Sequence, residues 1–290
     1  MKDFSHVDGF SHVDTWVFDL DNTLYPASCR LFDQIDVKMG NFVSKLLNVD
    51  YAEAKRRQKE MFYKYGTTLR GLMTEHGITP DDFLDYVHDI DHSPVPLNKA
   101  LDDALHALPG RKLIFTNGTV AHAEKVLARI GITHHFGDIF DIVHSDFIPK
   151  PEMGPYRKFV AQTGIRPETS AMFEDIARNL EAPHALGMTT VLVVSDQNRD
   201  AAHLNAASGG VDQTHIHHIT DDLAGFLGAS RGRMVRQLAT ESLVVSVAGG
   251  AAGLLFGIWG VDALLALAPA DAPRLEEVRV DGAVFAVTAL

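Results

Sequence analysis

Two aspartates separated by one leucine, Asp19 and Asp21, stand at the end of the apolar run Trp16-Val17-Phe18. A strand alternates its side chains between faces, so the two carboxylates share a side if the strand continues through them. Carboxylates that close repel unless a cation or a proton holds them. A hard cation such as Mg²⁺ meets that need, because it takes oxygen ligands, keeps waters and bridges to phosphate. The ordinary alternative is a solvated loop after a core strand, and a bare D-x-D does not exclude it.

Three further sites supply what phosphoryl transfer needs: a hydroxyl, a cation and another carboxylate. Thr116, with Asn117 and Gly118, follows Leu113-Ile114-Phe115. A hydroxyl and free backbone N–H groups at a helix start make a phosphate cradle. Lys150 stands between Pro149 and Pro151, and the prolines stiffen the backbone that carries its ammonium. Glu174-Asp175 follows Ala171-Met172-Phe173, with Asn179 one helical turn on. Singly, Thr116 and Asp175 read as helix caps and Lys150 as a solvated loop. Together, and in this order, the sites are specific.

The elements that must position them follow from the apolar pattern. Short β-rich runs at 15–19, 112–116, 171–174 and 190–194 alternate with helix-like stretches. That pattern suits an α/β fold with a parallel sheet and crossover helices, two of them at 119–131 and 176–187. Sites in such folds collect outside the carboxyl ends of the strands. Between the first and second runs lies a long insertion with helical spacing at Leu31, Ile35, Met39, Phe42 and Leu46, and again at Leu69, Leu72 and Met73. It reads as a helical cap. The expected organisation is a core of residues 1–29 and 99–229, a cap of 30–98 and a tail of 230–290.

Over roughly residues 13–228 the chain resembles the haloacid dehalogenase superfamily of phosphohydrolases. The resemblance rests on Asp19-Leu20-Asp21-Asn22-Thr23-Leu24, Thr116-Asn117-Gly118, Lys150-Pro151 and Glu174-Asp175. The continuation to Tyr25-Pro26, the segment Tyr65-Gly66-Thr67-Thr68-Leu69-Arg70-Gly71-Leu72 and Phe173-Glu174-Asp175 are similar to its pyrimidine 5′-nucleotidase subfamily. The resemblance implies a Rossmann-like core, an inserted helical cap and Mg²⁺-dependent removal of phosphate from nucleoside monophosphates. It assigns Asp19 as nucleophile and Asp21 as acid and base, Asp21 also reaching the metal through its backbone carbonyl. Thr116 and the Asn117 N–H would hold phosphoryl oxygens, Lys150 would offset charge, and Asp175 would complete the Mg²⁺ shell with Asp19. In the cap, Tyr63, Tyr65, Thr67 and Thr68 offer stacking and hydrogen bonding to a base, with helix packing the equal alternative. Dehalogenases of the superfamily lack an acid at the position of Asp21, which favours a phosphatase. Asn179 departs from the pattern, since a second acid often stands there, and metal affinity is expected to be weaker.

The remaining signals bound the surroundings. The 290 residues are 46% hydrophobic and 22% charged, enough apolar material for one large or two modest cores. A net charge of -12 disfavours a nucleic-acid binder and points to small molecules or cations as partners. One cysteine, Cys29, builds neither a disulfide framework nor a thiolate zinc site. The start Met1-Lys2-Asp3-Phe4 lacks the pattern of a secretory signal, so the catalytic part is expected in the cytoplasm. His215, His217 and His218 read as a surface strand or loop, and Gly228-Ala229-Ser230-Arg231-Gly232 lacks the preceding strand that a serine nucleophile needs.

The tail is different material. From Ser230 on there are five arginines, no lysine and six acidic residues. Residues 242–261 run without a charge, about the length that spans ~30 Å of hydrocarbon as a helix. Gly249, Gly253 and Gly257 recur at the small-residue spacing of packed membrane helices, and Arg231, Arg233 and Arg236 precede the run. A hydrophobic transmembrane or membrane-lying helix is therefore expected, tethering the chain. Residues 231–290 resemble a segment of FtsX- and MacB-like transporter permeases, on Arg236–Leu243 and on Pro269–Leu275. No transport activity is expected from so short a piece.

Overall fold

In the first strand, β1 (Thr15–Phe18), every residue is buried. Its alternate side chains enter different clusters: Trp16 and Phe18 pack with Ile114, Val126 and Phe173, while Val17 packs with Leu113, Tyr156, Phe159 and Met172. Both faces of the strand are thus covered, which is why it reads as a continuous apolar run rather than an alternating one. A computed structural model of the chain describes residues 10–194 and 213–228. These belong to the first of the chain's two units, Met1–Arg231. The tail expected to meet a membrane, including 242–261, lies outside the described residues. Among the described residues no helix is long and apolar enough to cross a membrane.

Four helices follow β1: α1 (Leu31–Leu47), α2 (Tyr51–Tyr65), α3 (Thr68–His76) and α4 (Pro80–His88). Then come α5 (Lys99–Ala107), β2 (Arg111–Phe115), α6 (Val120–Ile130), β3 (Asp138–Phe140), α7 (Met153–Thr163), β4 (Ser170–Glu174), α8 (Glu181–Ala185), β5 (Thr189–Val193) and β6 (His218–Thr220). The six strands form one sheet in the order β3-β2-β1-β4-β5-β6, with every adjacent pair parallel. The order reverses direction beside β1, the place where open α/β sheets form their sites.

Helices α1–α4 enclose an apolar cluster of their own, with Ile35, Val43, Met61, Leu72, Phe83 and Val87 buried. Local chemistry fixes their ends: Asp50 accepts from Glu53 N at 2.9 Å to start α2, and Thr67 accepts from Arg70 N at 3.1 Å to start α3. The spacing in α1 holds at Leu31 and Ile35, but Leu46 is exposed and Val43 takes the inward place. The expected helix at 176–187 is broken into a 3-10 turn, Ala177–Leu180, and the short α8. Pro183 inside that stretch offers no backbone N–H to continue a long helix. Strands β3 and β6 have three residues each, too short to show as apolar runs. Nor are the histidines before β6 all at the surface, since His215 is buried and its Nε2 meets the Ala177 carbonyl at 3.0 Å.

Candidate active site

The strand register assembles one row of groups. Phe18 of β1 is level with Ile114 of β2 and Phe173 of β4, so the next residues, Asp19, Phe115 and Glu174, stand side by side at the carboxyl edge. Lys150 reaches all three. Its Nζ donates to Asp19 Oδ1 at 2.6 Å, to Glu174 Oε1 at 2.7 Å and to the Phe115 carbonyl at 3.0 Å. The lysine is 4% exposed, so every ammonium proton is committed inside the protein. A pair of this kind survives burial only with such complete hydrogen bonding. The Lys150–Pro151 peptide is cis.

The strand, expected over 15–19 with the aspartates at its end, stops at Phe18, and the chain turns there. Asn22 takes a left-handed conformation, φ 59°, which Asn tolerates better than most residues. Leu24 N closes the turn on the Leu20 carbonyl at 3.1 Å. Thr23 is brought back beneath the first aspartate, donating to Asp19 Oδ2 at 3.1 Å. The side shared by Asp19 and Asp21 is therefore a property of this turn rather than of strand alternation.

The second aspartate has different company. Tyr25 donates to Asp21 Oδ1 at 2.5 Å, and His122 Nε2 meets the same oxygen at 3.0 Å. Behind His122 lies His92, whose Nε2 is 3.2 Å from His122 Nδ1, and the His88 ring stacks on His122 with centroids 4.8 Å apart. The sequence pattern includes Tyr25 only as part of the motif after Asp21, four residues away, and it does not mark His88, His92 and His122, which come from other elements.

Thr116 does not cap a helix. Thr119 does so, accepting from His122 N at 3.3 Å, which leaves Thr116 at the strand end, buried, with Gly118 N donating to its Oγ1 at 2.9 Å. A Cβ on Gly118 would sit 3.3 Å from that hydroxyl and 3.8 Å from Asp21 Oδ2. The glycine keeps the turn open between them. Among the described residues nothing accepts the Asn117 N–H, while its Oδ1 accepts from Lys150 N at 2.9 Å. The buried Asp141, also missed, ties the loop after β3 to the start of α6 by accepting from Val120 N at 3.0 Å.

Asp175 directly follows β4, and ligand atoms of Asp19, Glu174 and Asp175 lie within 4.8 Å of one another. Glu174 is already occupied: Ile176 N donates to its Oε2 at 2.8 Å, and Asn179 Nδ2 donates to Oε1 at 2.6 Å. Asn179 thus holds the carboxylate that holds Lys150. Burial pushes Asp19 up to about 7, with Glu174 and Asp21 adding to it against the pull of Lys150. Burial, then Glu174 and Asp19, also raises Asp175 well above the carboxylate range. One ammonium among these acids leaves an excess of negative charge, and oxygen donors around such an excess fit a hard divalent cation. Burial opposes ionisation of Asp21 too, but His122, Tyr25 and His88 outweigh it and bring Asp21 down to about 2.

The residues of the α2–α3 turn stand apart from these groups. Tyr65 donates to Glu75 Oε1 at 2.8 Å, Thr67 caps α3, and Thr68 is buried. No hydrogen bond joins the three to Asp19, Asp21, Thr116, Lys150 or Asp175 among the described residues. The turn nevertheless touches the lysine loop: a Cβ on Gly66, φ 85°, would lie 3.3 Å from Pro149 Cγ.

Residues 13–187 match the family of haloacid dehalogenase-like hydrolases. Phosphate metabolism protein 8 of Saccharomyces cerevisiae is 29% identical over 194 residues, which span 60% of this chain and 60% of the yeast protein, under two thirds of its length. Among solved structures, an L-2-haloacid dehalogenase from Xanthobacter autotrophicus with chloropropionic acid covalently bound has a TM-score of 0.47 at 14% identity, covering 77% of this chain and 98% of that one. A hydrolase of the same family from Deinococcus radiodurans with bound phosphate and sodium has a TM-score of 0.45 at 20% identity, covering 77% and 97%.

Proposed function

The chain belongs to the haloacid dehalogenase-like hydrolases, and from that membership we propose that it is a Mg²⁺-dependent phosphomonoesterase working through an aspartyl phosphate on Asp19. The observation that carries this reading is Asp21, whose Oδ2 lies toward the Thr116–Gly118 turn while Oδ1 is held from behind. A halide leaves without a proton, whereas an ester oxygen needs one. A carboxylate placed beside the nucleophile for that purpose serves an ester.

Asp19, oriented by Lys150 and Thr23, attacks phosphorus, and the bond to the ester oxygen breaks as Asp21 hands that oxygen a proton. Asp21 is ionised in the free protein, so the ester monoanion first passes its own proton to Asp21, which then delivers it to the leaving oxygen. Water then attacks the phosphorus of the aspartyl phosphate, Asp21 takes its proton, the bond from Asp19 to phosphorus breaks, and the proton on Asp21 departs with the phosphate, leaving both carboxylates as they began. Thr116 and the Asn117 N–H hold the phosphoryl oxygens, and Lys150 stabilises the charge shared with Asp19. Asp19, Asp175 and the backbone carbonyl of Asp21 would hold Mg²⁺, which supplies charge neutralisation between nucleophile and phosphate.

The substrate class in this reading is pyrimidine nucleoside 5′-monophosphates, with Tyr65, Thr67 and Thr68 in a four-helix cap meeting the base. The place of the α2–α3 turn beside Pro149 supports it, as does the name of the yeast relative in so far as it concerns phosphate. Nucleotides, sugar phosphates and phosphoglycolate are assayed with Mg²⁺ and with chelator. Turnover that needs Mg²⁺ and favours pyrimidine nucleotides is expected; no turnover of any monoester overturns the reading. A cytoplasmic catalytic part tethered through residues 242–261 completes the proposal, and fractionation of the whole chain against one ending near Ser230 tests it.

A further inference from the structure

We propose that His122 is a positioning residue for Asp21: together with Tyr25 it clamps Oδ1, so that Oδ2 is the oxygen turned toward the phosphoryl turn. The inference rests on the reading of Asp21 as the acid and base of a phosphatase.

Both donors converge on one oxygen of the carboxylate, Tyr25 at 2.5 Å and His122 Nε2 at 3.0 Å. Oδ2 accepts no hydrogen bond among the described residues, and the Cβ that Gly118 lacks would be 3.8 Å from it. A carboxylate with two equivalent oxygens can rotate and present either; two donors on one of them remove that freedom. His122 is itself fixed. An ionised carboxylate only accepts, so Nε2 carries the proton, and Nδ1 faces His92 Nε2 at 3.2 Å. The His88 ring covers the imidazole from its face. His122 has no side-chain exposure, so water does not compete for it. His88 ends α4 and His92 follows in the connection to α5, so the four-helix insertion and α6 jointly set the direction of one carboxylate. A precise heavy-atom position is what proton transfer demands, and small misplacement is costly.

The discriminating readout is dependence on the leaving group. A nitrophenolate departs without a proton, while an alkoxide such as a nucleoside 5′-oxygen requires one. kcat/KM reports the step in which that oxygen leaves. His122→Phe is expected to lower kcat/KM for a nucleoside 5′-monophosphate by about 100-fold and for p-nitrophenyl phosphate by less than about 5-fold. His122→Gln keeps a donor near the place of Nε2 and should recover part of the loss. Tyr25→Phe, which changes no volume in the core beyond one hydroxyl, should show the same selective pattern more weakly and serves if His122→Phe does not fold. Equal losses on both esters, or no loss in folded variants, overturn the inference. Asp21→Asn on the same esters separates the two readings. If Asp21→Asn shows the selective loss and the clamp variants do not, only the clamp fails; if Asp21→Asn shows none, the phosphatase assignment of Asp21 fails with it.

Discussion

Asp19 and Asp21 are separated by one leucine, yet their carboxyl groups occupy opposite electrostatic surroundings. Asp19 lies at a strand end among buried acids, and burial with Glu174 and Asp21 pushes it up to about 7 although Lys150 touches it. Asp21 lies across the turn, 23% exposed in its side chain, served by a phenol and a file of imidazoles that bring it down to about 2. In the proposed reaction, two residues of one type become a nucleophile that a cation must keep ionised and an acid and base that needs no cation to stay ionised. Spacing brings such a pair together; the partners decide which one does what.

The largest effects separate the two directly. Asp19→Asn removes the nucleophile and should reduce turnover by about four orders of magnitude or more, measured in a single-turnover assay. Asp21→Asn keeps the nucleophile and should cost about 10²–10³ in kcat/KM for an alkyl ester. Equal losses would erase the distinction. Lys150→Met tests the row that supports Asp19. Breaking one partner of a buried ion pair should cost about 3–5 kcal/mol in urea unfolding, beyond the lost activity.

Two pH profiles sharpen the contrast. With Asp21 ionised throughout the neutral range, the proton for the leaving oxygen comes with the ester monoanion. kcat/KM in saturating Mg²⁺ should then fall about tenfold per pH unit above about pH 6, where the ester loses its last proton. A profile flat to pH 8 would place the proton on Asp21. Stability in chelator reports Asp19. Its folded value, about 7, is raised from an unfolded value of 3.8, so between these values the folded state binds more protons than the unfolded one. Stability therefore falls as pH rises through that window, by up to about 1.4 kcal/mol per unit for Asp19 and further for Asp175, whose carboxyl burial also raises. Asp21 titrates below the window and does not oppose the trend. Asp19→Asn should make the curve shallower, leaving the share of Asp175, and raise metal-free stability at pH 8, read by urea denaturation at pH 5 and pH 8. The smallest expected effect lies in the cap. Tyr65→Ala should raise KM for a pyrimidine nucleotide by about 3–10-fold and leave that for ribose 5-phosphate unchanged.

The part of the site built on strand ends was legible in the sequence because strands announce themselves. Asp19, Thr116 and Glu174-Asp175 each follow an apolar run, and the parallel sheet places such ends in one row. Lys150 was legible through its prolines, though nothing in its spacing revealed that it spans three strands. The other half was not legible. His88, His92 and His122 belong to α4, a connection and α6, and nothing local marks a histidine whose partner is a hundred residues away. Glu174 stands in the sequence as one of a pair with Asp175, but its role in holding Lys150 needs the register of β1 and β4. The cap helices showed their periodicity, while the inward face of α1 drifted from Leu46 to Val43, because packing against the other helices rather than spacing alone chose it.

The proposed reaction puts a covalent phosphoryl group on one carboxylate, that of Asp19. Borohydride reduces an acyl phosphate to an alcohol and so converts the phosphorylated aspartate to homoserine. Protein quenched during turnover of a phosphate ester in Mg²⁺, reduced and mapped by peptide mass spectrometry should carry homoserine at position 19 and aspartate at position 21. Turnover with no modification at position 19, or with the modification at another residue, would contradict the account.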